Sequence, residues 1–219
     1  MASQMNVLKV PYLKSSYLND PDFNLSEVLS SYKPSKLLFA PWKKNEEMPE
    51  VLFFIAYGDD ALFLKFVVKE KYFRAKYTKT NDLVYNDSCV EFFIGFDETT
   101  YYNFEFNALG TAYAAYGLAD KRELLPESLI NNIKIDTGNK TVKDDALHFH
   151  WELTLTIPFT LFYKHSMVSL KGVDCRANFY KCGDELPEPH FLCWNNVVAD
   201  QPKFHVPEYF GKLIFDASS

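Results

Sequence analysis

Glu91, Asn103, Glu105 and Asn107 are polar residues at even spacing inside two runs that are otherwise aromatic and aliphatic. The stretch that holds them reads VYNDSCVEFFIGFDETTYYNFEFNALGTAYAAY, from Val84 to Tyr116, with a short polar break at DETT. Side chains alternate between the faces of a strand. Phe92, Ile94 and Phe96 therefore share one side, and Glu91, Phe93, Gly95 and Asp97 share the other. After the break, Tyr102, Phe104 and Phe106 oppose Asn103, Glu105 and Asn107. Two such runs joined by about four residues predict a β-hairpin. With both apolar rows turned to the core, the acids and amides collect on one polar sheet face. Carboxylates and amides offer planar sets of donors and acceptors that match neighbouring hydroxyls, so the chemistry this face suits is recognition of a polyol. Arg74 and Arg176 are candidates for the same rim, since a guanidinium offers parallel donors.

The rest of the chain supplies the elements that position this face. Residues 1–50 read as a loop-rich lead-in with one short helix, LSEVLSSY. Asn24 and Glu27 open that helix as a capping box and Pro34 stops it. Strands are predicted at Val51–Tyr57, apolar on both sides, and at Ala61–Lys69. Lys71–Thr80 is an edge strand or a long loop over one face, and a third strand follows the hairpin at Thr111–Tyr116. Gly117–Leu125 is charged and irregular, with a short helix from Pro126. Ile133–Asp136 and Lys140–Lys143 read as brief strands around a Gly138-Asn139 hairpin turn. His148–Ile157 and Cys175–Cys182 alternate cleanly, the second placing Arg176, Asn178 and Tyr180 opposite Ala177, Phe179 and Lys181. A closing strand runs Lys212–Phe215. Many short strands with few short helices predict an all-β, jelly-roll-like β-sandwich in a single domain, 1–219.

Composition agrees. The 219 residues are 47% hydrophobic and 17% aromatic, which favours β structure and a sizeable core. A net charge of -6 argues against non-specific binding to nucleic acid or anionic membranes. No apolar run approaches the roughly 18 residues that span a bilayer, and no secretory signal is visible, so Met1 as a native start implies cytosol. Cys89, Cys175, Cys182 and Cys193 form no CxxC pair and read as free thiols. Cys182, His190, Cys193 and His205 share one stretch, but their spacing matches no zinc pattern. No metal or cofactor is expected, beyond structural calcium on carboxylates such as Asp59, Asp60 and Asp97.

The segments NDSCVEFFIGFD, YYNFEFNALGT, RANFYKCGD and FHVPEYFGKLIF resemble those of the family 9 carbohydrate-binding modules, in particular a free-standing, Bacteroides-type branch. The likeness runs from about Val51 to Phe215 and is weaker between Asp120 and Lys143. It implies an extracellular or periplasmic β-sandwich that holds a sugar, often at a chain end, between two rings. Some members of the family carry structural calcium. The family's first ring corresponds to Tyr85, where better-studied members have Trp, and its second is placed at Trp194. A flat ring packs on the C–H side of a pyranose and excludes water.

Each residue also has a plainer reading. Tyr85 and Trp194 are equally rings packed at a sandwich edge. Glu91, Glu105 and Arg176 are equally a cross-strand ion-pair network, and Arg74 and Arg122 ordinary surface arginines. Glycosidase carboxyls stand about 5–5.5 Å or 6.5–9.5 Å apart, which facing strand residues can meet. A nearby Arg176 would depress rather than raise a carboxyl pKa, so the expectation is binding without catalysis. Two other classes remain: a DOMON-like sandwich holding haem through residues such as Met48, Met167, His148, His150 and His165, and a protein-interaction module with an exposed aromatic edge.

Overall fold

The alternating runs pair into two sheets that face each other. A computed structural model describes residues 5–14, 23–44, 47–138, 142–143 and 148–217. In chain order its strands are β1 Val7–Val10, β2 Ser35–Lys36, β3 Glu50–Tyr57, β4 Ala61–Glu70, β5 Cys89–Gly95, β6 Tyr101–Asn107 and β7 Ala112–Leu118. They continue as β8 Lys121–Leu124, β9 Lys134–Asp136, β10 Val142–Lys143, β11 Phe149–Pro158, β12 Asp174–Cys182, β13 Phe191–Cys193 and β14 Gly211–Phe215. One sheet has the order β1-β14-β12-β5-β6-β7-β8, with β13 beside β12. The other has the order β10-β11-β4-β3-β2, with β9 also on β11.

The inner faces carry the apolar rows. Val90, Phe92 and Ile94 of β5 and Tyr102, Phe104 and Phe106 of β6 meet Phe53, Leu64, Phe66 and Leu153 across the sandwich. Phe53 and Phe179 stack with centroids 3.9 Å apart, which ties the two sheets at their centre. The strand β3 is apolar on both sides because its outer residues are covered too. Phe54 and Ala56 pack with Leu29 of the helix α1, Leu25–Ser30. Asn24 caps that helix, its side chain accepting from the Glu27 amide at 3.3 Å.

Several local expectations need correction. The lead-in holds β1, which runs parallel to the closing strand β14; a four-residue edge strand leaves too short a pattern to read. Of the two alternatives for Lys71–Thr80, the loop is the one found. The charged segment after Gly117 forms β8, paired back onto β7. That turn depends on Gly117, at φ 148°, where a Cβ would lie 2.3 Å from the Lys121 carbonyl. The strands β9 and β10 both lie against β11, and the turn expected at Gly138-Asn139 runs into residues outside those described. Asn139, Lys140 and Thr141 lie outside the described residues.

Candidate functional site

The outer face of the β5–β6 hairpin is floored by acids, as the alternation requires. Glu91 and Glu105 are directly opposed across β5 and β6, and Cys89 opposes Asn107. On the other side of β5, Tyr180 opposes Glu91 and Cys182 opposes Cys89. Loop residues Val197, Phe204, Val206 and Phe210 form a second apolar cluster over this face with Phe93, Tyr101 and Tyr180. The cover is incomplete. A cleft of about 370 Å³ remains, lined by Tyr85, Glu91, Glu105, Tyr113, Arg122, Cys182, Asp184, Phe191, Pro202, Lys203, Phe204 and His205.

The acids at its floor are only 3% exposed. Glu91 accepts from the Cys182 thiol at 3.0 Å, and Glu105 accepts from the Asn103 amide at 3.0 Å. Burial pushes the Glu105 carboxyl up to about 7, against opposing pulls from the Asn103 hydrogen bond and the Arg122 guanidinium. Burial raises Glu91 well above the usual carboxylate range, helped by Cys182 and Glu105. His205 stacks on Phe93 at 4.9 Å, and its Nδ1 is 2.9 Å from the Tyr101 hydroxyl. Burial holds its pKa down to about 3, so the ring stays neutral.

On this sheet face Glu105 Oε2, Asn103 Oδ1 and Arg122 Nε are buried and have no hydrogen-bond partner among the described residues. A buried polar atom left unpaired costs about 1–3 kcal/mol. Glu105 and Arg122 line the cleft, and an acceptor beside a donor there is what an incoming hydroxyl can pair.

The candidate residues separate. Tyr85, Glu91 and Glu105 come together on the cleft. Asn107 lies on the same face but is saturated. It donates to the Tyr77 carbonyl and to Asp87, and accepts from the amides of Leu109 and Thr111. Arg74 is taken up by ion pairs with Asp87 and Glu185. With Asp87, which also accepts from the Lys76 and Tyr77 amides, it fastens the 71–80 loop. Arg176 faces outward but at the far end of β12, opposite Gly95. Its Nη2 donates to the Asp97 carbonyl at 2.6 Å and its Nη1 to the Pro207 carbonyl at 3.2 Å, closing the β5–β6 turn.

Trp194 does not face the cleft. It is 6% exposed and sits edge-on to Phe53 and Phe179 in the inter-sheet core. It also lies over Gly211, where a Cβ would fall 2.5 Å from its ring. The rings that join Tyr85 on the cleft are Tyr113, Phe191 and Phe204. The guanidinium is that of Arg122, which β8 carries opposite Gly117.

The residues considered for metal or haem have other partners. His190 Nε2 is 2.9 Å from Lys181 Nζ, between the sheets. Against burial, which pushes it up, the Asp97 carboxyl is held well below the usual range by the Thr100 hydroxyl, the Thr100 and Thr99 amides and His165. His165 Nδ1 is 3.2 Å from the Tyr102 hydroxyl, and His148 pairs with Glu47 at 2.5 Å. Met48 and Met167 pack on the core. All four cysteines are buried and free. Among the described residues no helix is long and apolar enough to cross a membrane.

Comparison with known proteins places this arrangement. The model of the family described as carbohydrate-binding family 9 matches residues 31–215. A candidate carbohydrate-binding protein from Bacteroides uniformis ATCC 8492 is 31% identical, with 97% of this chain and 100% of that one covered and a TM-score of 0.87. Two structures of a family 9 carbohydrate-binding module from Caldicellulosiruptor kristjanssonii share the fold. The cellotriose complex is 13% identical at TM-score 0.65, with 98% of this chain and 95% of that one covered. The glucose complex is 12% identical at 0.63, with 98% and 97% covered. No curated protein matches the chain.

Proposed function

The chain belongs to carbohydrate-binding family 9, and from that premise we propose that the cleft between the β5–β6 hairpin and the 202–205 loop holds one sugar residue. The observation that carries this reading is the pair of buried atoms on cleft-lining side chains that have no hydrogen-bond partner among the described residues, Glu105 Oε2 and Arg122 Nε. A sugar hydroxyl both donates and accepts, so one ring edge can satisfy a carboxyl and a guanidinium at once. Tyr85 and Tyr113, both half-buried on the cleft wall, supply apolar faces for the C–H side of the ring. A volume of about 370 Å³ suits a monosaccharide or the end of a chain better than the middle of a long one.

Binding without hydrolysis follows from the use of the carboxyls. Both are driven towards the neutral form, and Glu91 already accepts from Cys182. A hydrolase pair needs one carboxylate firmly ionised beside one acid.

Glucose and cellotriose, the sugars bound in the two fold relatives, are the first ligands to titrate by calorimetry. Tyr85→Ala is expected to weaken binding about 10–100-fold through loss of roughly 1.5–3 kcal/mol of aromatic burial, at unchanged fold. Heat that is the same for wild type and Tyr85→Ala would remove Tyr85 from the site. No reducing sugar should accumulate from the trisaccharide on long incubation.

A further inference from the structure

The sugar reading leaves the two thiols on the cleft floor without a role. Cys89 and Cys182 face each other across β5 and β12, and Glu91 follows two residues after Cys89 on the same face. The Cys89 and Cys182 sulfurs and a Glu91 oxygen all lie within 4.8 Å of one another, and all three residues are buried. Among the described residues this is the one group of three such ligands brought so close. We propose that Cys89, Cys182 and Glu91 form a zinc site in the cleft floor, with a fourth position open to the cleft.

The geometry fits a small tetrahedral cation. Zinc–sulfur bonds of about 2.3 Å and zinc–oxygen bonds of about 2.0–2.2 Å put ligand atoms roughly 3.5–3.8 Å apart at the corners of a tetrahedron. Cys182 Sγ and Glu91 Oε1 are now 3.0 Å apart, bridged by the thiol proton. Exchanging that proton for a cation needs only a small widening. Glu91 and Cys182 line the cleft, so an ion has a route in, while Cys89 closes the site from below. Two sulfurs and one carboxylate select a borderline-soft ion over calcium or magnesium. Three protein ligands with one open place is also the ligand count of zinc centres that keep an exchangeable position. Binding forms two Zn–S bonds and one Zn–O bond and sends both thiol protons to solvent, with a third from Glu91 where it is protonated. No oxidation state changes. The site does not depend on the sugar reading.

Cobalt(II) and zinc are the probes. Protein stripped with a chelator and titrated with cobalt is expected to show a thiolate-to-cobalt charge-transfer band that saturates at one equivalent. Zinc should abolish it and excess calcium should leave it unchanged. Zinc added in weak buffer should release at least two protons per chain. Cys182→Ser and Cys89→Ser should lose the band, with circular dichroism confirming their fold. The proposal is overturned by a wild-type protein with no such band, by a band that persists in both variants, or by displacement with calcium. If the serine variants do not fold, the wild-type band and proton count decide. Glucose calorimetry on stripped protein separates the two ideas: heat without cobalt uptake leaves the sugar reading and removes the metal, and the reverse result does the opposite.

Discussion

Above pH 7, Glu105→Gln is expected to bind sugar at least 10-fold more weakly than the wild type and yet to be more stable. Both halves follow from one buried carboxyl. Its Oε1 accepts from Asn103, a bond that the glutamine carbonyl retains. Its Oε2 is buried and unpaired, and there the amide would present a donor in place of an acceptor. A mismatched pair in a desolvated site costs about 1–3 kcal/mol.

The stability gain comes from proton linkage. In the folded chain Glu105 holds its proton up to about 7, against 4.5 for the free side chain. Between those values the unfolded chain has already lost the proton, so stability falls as pH rises through the interval and levels off above it. The glutamine has no proton to lose. Its advantage should be absent below pH 4.5 and should reach roughly 2–4 kcal/mol at pH 8. Urea unfolding at pH 4, 6 and 8, with a chelator present, reads it. The acid limb has the opposite sign. His190 and His205 are held neutral in the fold, down to about 2 and about 3, so stability drops as pH falls below 6.5 and the unfolded chain takes up protons. A Glu105→Gln protein that is less stable at pH 8 would mean that the carboxyl serves the fold and not a ligand.

The second large effect lies behind the cleft. Lys181 turns inward from β12, where its Nζ forms an ion pair with Glu70 Oε2 at 2.9 Å, donates to the Cys182 carbonyl at 2.8 Å and lies 2.9 Å from His190 Nε2. Glu70 Oε1 in turn accepts from Trp151 Nε1 at 2.6 Å. The lysine and the glutamate are 0% and 1% exposed, and they bridge the two sheets. His190 is neutral, so its Nε2, 3.6 Å from Glu70 Oε2, adds no second ion pair. Lys181→Met would leave Glu70 charged and buried without its cation, at a cost of about 3–5 kcal/mol. The Glu70→Gln/Lys181→Met double variant keeps an acceptor for Trp151 and no net charge, and should be more stable than Lys181→Met alone. Urea unfolding of the four proteins in the cycle measures this. Additive losses would show that the two groups are not coupled.

The hairpin and its acid floor were legible because strand alternation is local: Glu91 and Glu105 had to share a face once Phe92 and Phe104 were in the core. Lys181 was legible in the same way, since alternation set it beside Ala177 and Phe179 on the buried side. What escaped reading depends on long-range packing. Trp194 stands beside polar Asn195 and looks like a surface ring, but Gly211 on a distant strand leaves space for it in the core. Phe204 and His205 come from a loop without periodicity, and only the folded loop lays them over the sheet. Arg122 sits in a charged run that reads as irregular until Gly117 turns it back as β8. Cys89 and Cys182 are 93 residues apart, and only the β5–β12 register makes them neighbours.

The most direct test is the Arg122 side chain in the free and sugar-bound protein. Its Nε–H is buried and has no hydrogen-bond partner among the described residues. Titrating ¹⁵N-labelled protein with glucose or cellotriose should shift the Arg122 Nε–H resonance downfield and slow its exchange with water, together with the amides of Glu91, Glu105 and His205. Sugar binding that leaves that resonance in place, with shifts gathered around Trp194 or Arg176 instead, would put the saccharide elsewhere on the molecule.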